Sequence, residues 1–132
     1  MSAPHPTALA YRAAAEAKDV DAILALMADG IRMHSPTKHA PFEGKDIVRF
    51  LFGQLMDVLE AFRFERIESA GDHATLYFSC TIGGKSAEGI DSLHIDADGR
   101  IDDFRVMIRP LNALQALNAE MGARLARHSG GP

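Results

Sequence analysis

The spacing of apolar residues in the first half of the chain is that of amphipathic helices. Three segments carry apolar side chains three or four positions apart, which places them on one helix face. Asp19 is suited to cap the second of these helices, because a carboxylate accepts hydrogen bonds from the free N–H groups of a first turn. The predicted elements are helices over 7–18, 19–29 and 45–59, with a short strand over 31–35 and a proline-containing loop over 36–44 between the second and third helices.

From about residue 62 onwards, apolar and polar residues alternate, which predicts strands with one buried face. Gly83-Gly84 and Asp98-Gly99 are typical of tight hairpin turns. Pro110 suits the first position of a helix, where its missing N–H would have no partner in any case. The predicted elements are strands over about 62–67, 75–82, 86–95 and 100–109, followed by a helix from Pro110 to about Ala126.

Helices followed by hairpin-linked strands predict an α+β fold with one curved sheet. The length of 132 residues is that of an ordinary single domain, and 47% apolar with 24% charged residues is a normal globular composition. We therefore expect one domain over 1–132, with a core over about 7–126 and a flexible tail over 127–132.

Charge and cysteine content limit the classes of partner and the cellular compartment that we expect. A net charge of -4 gives no basic surface for phosphate backbones or anionic lipid, so we expect neither nucleic acid nor membrane as a partner. Cys80 is the only cysteine and no export signal is visible, which indicates a cytoplasmic protein without an internal disulfide. The six histidines show no pair at metal-binding spacing, so we expect neither a metal nor another cofactor.

Three segments resemble the SnoaL-like branch of the nuclear transport factor 2-like superfamily. They are residues 17–23 (AKDVDAI), 41–47 (PFEGKDI) and 91–101 (DSLHIDADGRI), and the resemblance covers about 7–125. It implies a cystatin-like cone similar to ketosteroid isomerase, in which a curved antiparallel (mixed) sheet with N-terminal helices and one C-terminal helix surrounds an apolar pocket. The same fold hosts enzymes and non-catalytic modules, so it does not fix the function.

The resemblance also suggests site residues. In ketosteroid isomerases, a tyrosine on the first helix and an aspartic acid on the sheet form an oxyanion hole, and a second aspartate moves the proton. Tyr11 and Asp91 fall on the first two positions, whereas the position of the base holds Ser35. A serine hydroxyl does not collect and return a proton near neutral pH without help, so the resemblance does not extend to the isomerase mechanism.

Asp91 is conspicuous for its surroundings as well. It lies between apolar residues on a strand predicted to be central, where a carboxylate is costly unless it is paired or neutral. We therefore predict a raised pKa and a carboxylic acid that donates to a ligand oxygen. The structural alternative for Tyr11 is that its ring only fills the space between the first helix and the sheet.

Strand alternation selects the remaining candidates. It points His34 away from the face of Ser35, although a shift of one residue in register would turn His34 inward as a possible base. The side chains predicted to line the pocket are Phe50, from the apolar face of the third helix, and from the strands Met33, Leu76, Phe78, Cys80, Leu93, Phe104, Val106 and Ile108.

Two functions remain open on these residues. One is cofactor-free isomerase, cyclase or dehydratase-type chemistry on a small hydrophobic oxygenated molecule, with Tyr11 and Asp91 polarising a carbonyl and Ser35 or His34 assisting. The other is a non-catalytic ligand-binding or dimerisation module. The convex sheet face, predicted to carry Tyr77 and Met107, mixes polar and apolar groups, and we expect it to form a homodimer.

Overall fold

The chain folds into four helices and a six-stranded sheet. A computed structural model describes residues 3–130. In chain order the elements are α1 (Pro6–Glu16), α2 (Val20–Ala25), β1 (Met27–His34), β2 (Phe42–Glu43), α3 (Lys45–Val58), β3 (Glu60–Ala70), β4 (His73–Ile82), β5 (Lys85–Ile95), β6 (Ile101–Arg109) and α4 (Leu111–Gly130).

The sheet is mixed, curved and not closed on itself. Its strand order is β2-β1-β6-β5-β4-β3, in which β1 runs parallel to β6 and every other neighbouring pair is antiparallel. The predicted α+β class is therefore confirmed, and so is the curved antiparallel (mixed) sheet that the resemblance implied, with β1 and β6 as its one parallel pair. β5 and β6 lie at the centre of the sheet, so inward-facing side chains on these two strands are far from both edges.

Local signals in the sequence account for several of the boundaries. The Asp19 carboxylate accepts a hydrogen bond from the Ala22 N–H at 3.1 Å, which confirms the predicted cap of α2. Gly83 and Gly84 form the turn between β4 and β5 with φ of +55° and +78°, a conformation that glycine adopts at little cost.

The core lies between the concave sheet face and the helices. Along β4 every second residue from Ala74 to Ile82 is buried, as the alternation predicted, while Tyr77 and Ser79 face the other side. α1 closes one part of this concave face with Ala8, Tyr11 and Ala15, all almost completely buried. The apolar stripe of each helix thus meets the buried side of the strands.

Three predicted boundaries were wrong. α2 ends at Ala25, and Asp29-Gly30 lies inside β1, where the pairing with β6 shifts register between Met27 and Arg32. An Asp-Gly pair is typical of a turn, but here the register shift accommodates it within the strand. The loop after β1 contains the short strand β2. α4 continues to Gly130, although residues 127–130 were predicted to belong to the tail. Residues 131–132 of the predicted tail lie outside the described part of the chain.

Within residues 3–130, none of the helices has the length and apolar character needed to cross a membrane.

Candidate functional site

A cavity of about 190 Å³ lies between the concave sheet face and helices α1, α3 and α4. Its sheet wall includes five side chains that alternation had predicted to face a pocket. These are Met33, Phe78, Phe104, Val106 and Ile108. Most of the lining is apolar, and among the described residues Asp91 is the one acid in it.

Tyr11 and Asp91 meet at the cavity wall. The Tyr11 hydroxyl, on α1, donates a hydrogen bond to Asp91 Oδ2 at 3.0 Å. Asp91 lies on β5 between Leu76 of β4 and Val106 of β6, and its side chain enters the core from the centre of the sheet. Both residues line the cavity and are buried, with 2% of Tyr11 and 4% of Asp91 exposed. Two groups separated by 80 positions in sequence thus converge at one point.

Burial sets the protonation of this pair. Loss of hydration raises the pKa of Asp91 to about 7, and the hydrogen bond from Tyr11 opposes this rise only partly. The pKa of Tyr11 lies well above its ordinary value, first because the phenol is buried and then because a charge on Asp91 disfavours a phenolate. Near neutral pH the phenol is therefore neutral, and Asp91 exists both as an acid and as a carboxylate.

Rings hold the tyrosine in place. The Tyr11 ring makes edge contacts with Phe104 at 5.3 Å, Phe64 at 5.9 Å and Phe52 at 6.5 Å between ring centroids. These contacts restrict the ring, so the hydroxyl is presented to Asp91 in a defined orientation. Tyr11 thus fills space, as its structural alternative required, and its hydroxyl also makes a specific contact with Asp91.

The mouth of the cavity contains Ser35 and the loop after it. Ser35, Pro36, Thr37 and Lys38 all line the cavity. The Lys38 ammonium lies 4.4 Å from the centroid of the Phe42 ring, which keeps one positive charge at the entrance. Ser35 therefore shares the cavity with Tyr11 and Asp91, as the resemblance implied.

His34 lies on the other face of the sheet. Its Nε2 is 3.1 Å from Asp103 Oδ2, and its side chain does not line the cavity. Regular alternation of β1 places Met33 inward and His34 outward, so the inward register that would have made His34 a base is not adopted.

Four predicted lining residues lie outside the cavity wall. Leu76 and Leu93 have no exposed surface, because they are packed inside the core next to Asp91. Phe50 lies on a different face of α3 and stacks on His128 with a centroid distance of 3.8 Å. Cys80 is buried beyond Phe78, where burial and the nearby Asp91 raise the pKa of its thiol to about 11, so the thiol stays protonated.

The helices contribute a part of the cavity that the sequence analysis missed. α3 provides one wall, including Phe52, and α4 provides another. The helical spacing of apolar residues on α3 and α4 was the available signal, but it identified a buried face without saying which residues border a cavity. The residues of α3 and α4 that line the cavity are Leu51, Phe52, Leu55, Met56, Leu117, Asn118, Met121, Gly122 and Leu125.

Comparison with known proteins identifies relatives of this arrangement. The SnoaL-like domain family matches residues 8–104. An uncharacterized protein with a cystatin-like fold from Silicibacter pomeroyi DSS-3 is 32% identical, with a TM-score of 0.90 over 95% of this chain and 89% of the other. A structure described as a steroid delta-isomerase from Pseudomonas aeruginosa is 33% identical, with a TM-score of 0.87 over 95% and 93% of the two chains.

A more distant structure shares the fold alone. It is described as a putative ketosteroid isomerase from Kribbella flavida DSM 17836, and it is 16% identical, with a TM-score of 0.68 over 80% of this chain and 77% of the other. No functionally curated protein has significant sequence similarity to this chain. The family match over residues 8–104 and the two structures above 30% identity nevertheless agree with each other. The chain therefore belongs to the SnoaL-like domain family, with a nuclear transport factor 2-like, cystatin-like fold.

Proposed function

We propose that the cavity binds a small hydrophobic molecule with one carbonyl or hydroxyl oxygen, and that Asp91 and Tyr11 polarise this oxygen. The observation that carries the proposal is the 3.0 Å hydrogen bond between two buried polar groups at the wall of an otherwise apolar cavity. When Asp91 is protonated, the pair holds two protons, of which the internal hydrogen bond uses one. The second proton is available to a ligand oxygen.

The volume of the cavity indicates the size of the ligand. A dry apolar cavity of roughly 150 Å³ accommodates benzene. At about 190 Å³, this cavity suits a compound with one ring or two small rings. The apolar lining contacts the hydrocarbon part, and the Tyr11 and Asp91 pair selects the oxygen.

Cofactor-free isomerase, cyclase or dehydratase-type chemistry is the form of this function that we favour. A hydrogen-bonded carbonyl holds the negative charge that develops when a neighbouring C–H bond breaks. One relative above 30% identity is described as a steroid delta-isomerase, which supports chemistry of this kind. The alternative is a non-catalytic binding module, and it is favoured by the lining itself, which among the described residues contains no histidine and no acid besides Asp91.

Cyclohexanone and methylcyclohexane form a probe pair that tests the oxygen contact. Wild-type protein should bind the ketone more tightly, and Asp91→Leu should reduce this preference about fivefold, since a net hydrogen bond contributes roughly 1 kcal/mol. The infrared carbonyl stretch of bound cyclohexanone should lie at lower frequency in wild type than in Asp91→Leu. Cys80→Ala, a change outside the cavity wall, should leave both readouts unchanged. Equal carbonyl frequencies in wild type and Asp91→Leu would refute the proposal.

Ketone binding should also weaken with rising pH. Below a pKa of about 7, Asp91 donates, whereas above it the carboxylate only accepts and repels the ligand oxygen. An NMR titration at pH 5.5 and pH 8.5 should therefore give the tighter affinity at pH 5.5. An affinity that does not change between these pH values would contradict a donor role for Asp91.

Turnover separates the two forms of the function. If the bound ketone is activated, deuterium from D2O should enter its α positions faster with wild-type protein than with buffer alone, and Asp91→Leu should lose this acceleration. A carbonyl shift without accelerated exchange would assign the chain to the binding modules.

The buried free thiol of Cys80 is compatible with a reducing compartment, and we propose the cytoplasm as the place where the protein acts.

We further propose that two copies pair through the convex sheet face. This face holds Met107 with 55% of its surface exposed, beside partly buried Tyr77 and Ile90. Oppositely charged groups, including Glu88 and Arg109, surround this apolar patch, so two copies related by a twofold axis can match charges.

Light scattering should give twice the chain mass of 14.3 kDa. Met107→Glu should convert the dimer to a monomer, because it would bury two carboxylates in the interface. Leu111→Glu changes a side chain that is 68% exposed outside this face and should leave the mass unchanged. A monomeric mass for wild type at working concentration would exclude this dimer.

A further inference from the structure

Two histidines that are far apart in sequence are neighbours at one end of the sheet. His73 begins β4 and His94 lies near the end of β5, and the register of the antiparallel pair places them directly opposite each other. Their ring centroids are 4.9 Å apart. Sequence spacing concealed this pair, because it is formed across strands.

A carboxylate from the preceding turn lies between the two rings. Asp72 Oδ1 is 2.8 Å from His73 Nδ1, and Asp72 Oδ2 is 2.9 Å from His94 Nε2. The backbone holds this turn in place, because the Ile95 N–H donates to the Asp72 carbonyl at 2.8 Å. One potential ligand atom from each of the three residues lies within 4.8 Å of the other two. Atoms that bind one ion at about 2.1 Å lie roughly 3.5 Å apart, so small side-chain rotations suffice to bring these three together.

A second carboxylate orients one of the rings. Asp102, at the start of β6, lies 2.5 Å from His94 Nδ1. When His94 Nδ1 is protonated and donates to Asp102, the lone pair of Nε2 is directed at Asp72 and His73. Metal-binding histidines are commonly oriented in this way by a carboxylate that is not itself a ligand.

We propose that His73, His94 and Asp72 bind a divalent first-row transition metal ion, with Asp102 as the residue that positions His94. Two imidazoles and one carboxylate are a ligand set that suits ions such as Zn²⁺ or Ni²⁺. On binding, the ion replaces the two hydrogen bonds of Asp72 with coordination bonds. The side chains of Asp72 and His73 are 61% and 64% exposed, so the ion reaches them from solvent and water fills its remaining positions.

The site is separate from the cavity. None of the four residues lines the cavity, and His94 lies on the strand face opposite Asp91 and Leu93. Through its three ligands the ion would join the β3–β4 turn and the start of β4 to the end of β5, and it would thereby stabilise the folded sheet. If the metal proposal fails, the proposed function of the cavity is therefore unaffected. If the proposed function fails, the metal proposal is likewise unaffected.

Calorimetric titration of tag-free protein with ZnCl2 tests the proposal. We expect one ion per chain in wild type and at least tenfold weaker binding in His73→Ala and Asp72→Asn. Asp102→Asn should weaken binding by about 10- to 100-fold, the usual effect of losing an orienting carboxylate. His39→Ala removes an exposed histidine from the loop after β1 and should leave the affinity unchanged.

Two further measurements locate the ion. Co²⁺ should broaden the amide NMR signals of residues 72–73, 94 and 102 before those of the cavity residues, and Zn²⁺ should raise the melting temperature of wild type but not of His73→Ala. Because the His73 side chain is exposed, His73→Ala should fold like wild type. The proposal is wrong if Zn²⁺ does not bind, if His73→Ala binds as well as wild type, or if His39→Ala weakens binding equally.

Discussion

The stability of Asp91→Asn relative to wild type should be greater at pH 8 than at pH 4. The pKa of Asp91 is about 7 in the folded protein and roughly 3.9 in an unfolded chain. The unfolded state therefore loses its proton first, and wild type loses stability as the pH rises from about 4 through 7. Asparagine does not ionise, so between pH 4 and pH 8 the stability difference should shift by about 4 kcal/mol in favour of the variant.

Urea unfolding at both pH values measures this shift. Comparing the shift rather than a single value removes any constant cost of placing an amide beside Tyr11. Asp98→Asn is the matched control, because it makes the same change from acid to amide at an exposed position in the turn before β6. If the stability difference for Asp91→Asn is the same at pH 4 and pH 8, then Asp91 has an ordinary pKa, and the proposed donor to a ligand oxygen is lost with it.

Features encoded locally were predictable from the sequence. The cap at Asp19, the glycine turn after β4 and the alternation along β4 each depend on a few adjacent residues and on steric or hydrogen-bonding rules. The sheet wall of the cavity followed from the same alternation, as Phe104 and Ile108 illustrate.

Features that depend on distant residues were not predictable in this way. Phe52 lines the cavity and His73 faces His94 only because separate elements meet in space. Asp91 was conspicuous as an acid on a buried strand, but its pairing with Tyr11 was suggested by resemblance to a family, since nothing local relates two residues 80 positions apart. Conversely, Leu76 and Leu93 have the correct alternation but lie where side chains leave no space. Alternation gives the face of a strand and not the position of a void above it.

Gly89→Ala should destabilise the protein severely, by about 3 kcal/mol or more. Gly89 lies on β5 opposite Phe78 of β4 and Ile108 of β6. A Cβ at this position would overlap the Met107 carbonyl oxygen and lie 2.8 Å from Phe78 Cζ and 3.1 Å from Ile108 Cγ1. A flexible side chain could move away, but the carbonyl belongs to the backbone of β6, so relief of the clash requires separation of the two central strands.

Gly53→Ala provides the control for adding one methyl group. A Cβ on Gly53, within α3, meets no atom inside 4 Å, and alanine favours helix over glycine by about 1 kcal/mol, so urea unfolding should show a small gain in stability. Opposite signs for the two variants would attribute the loss to the contact at Gly89 rather than to the added methyl group. Because Phe78 and Ile108 also line the cavity, any Gly89→Ala protein that folds should bind cyclohexanone more weakly. Wild-type stability for Gly89→Ala would mean that β5 and β6 are not packed as closely as described, and that this part of the cavity wall is deformable.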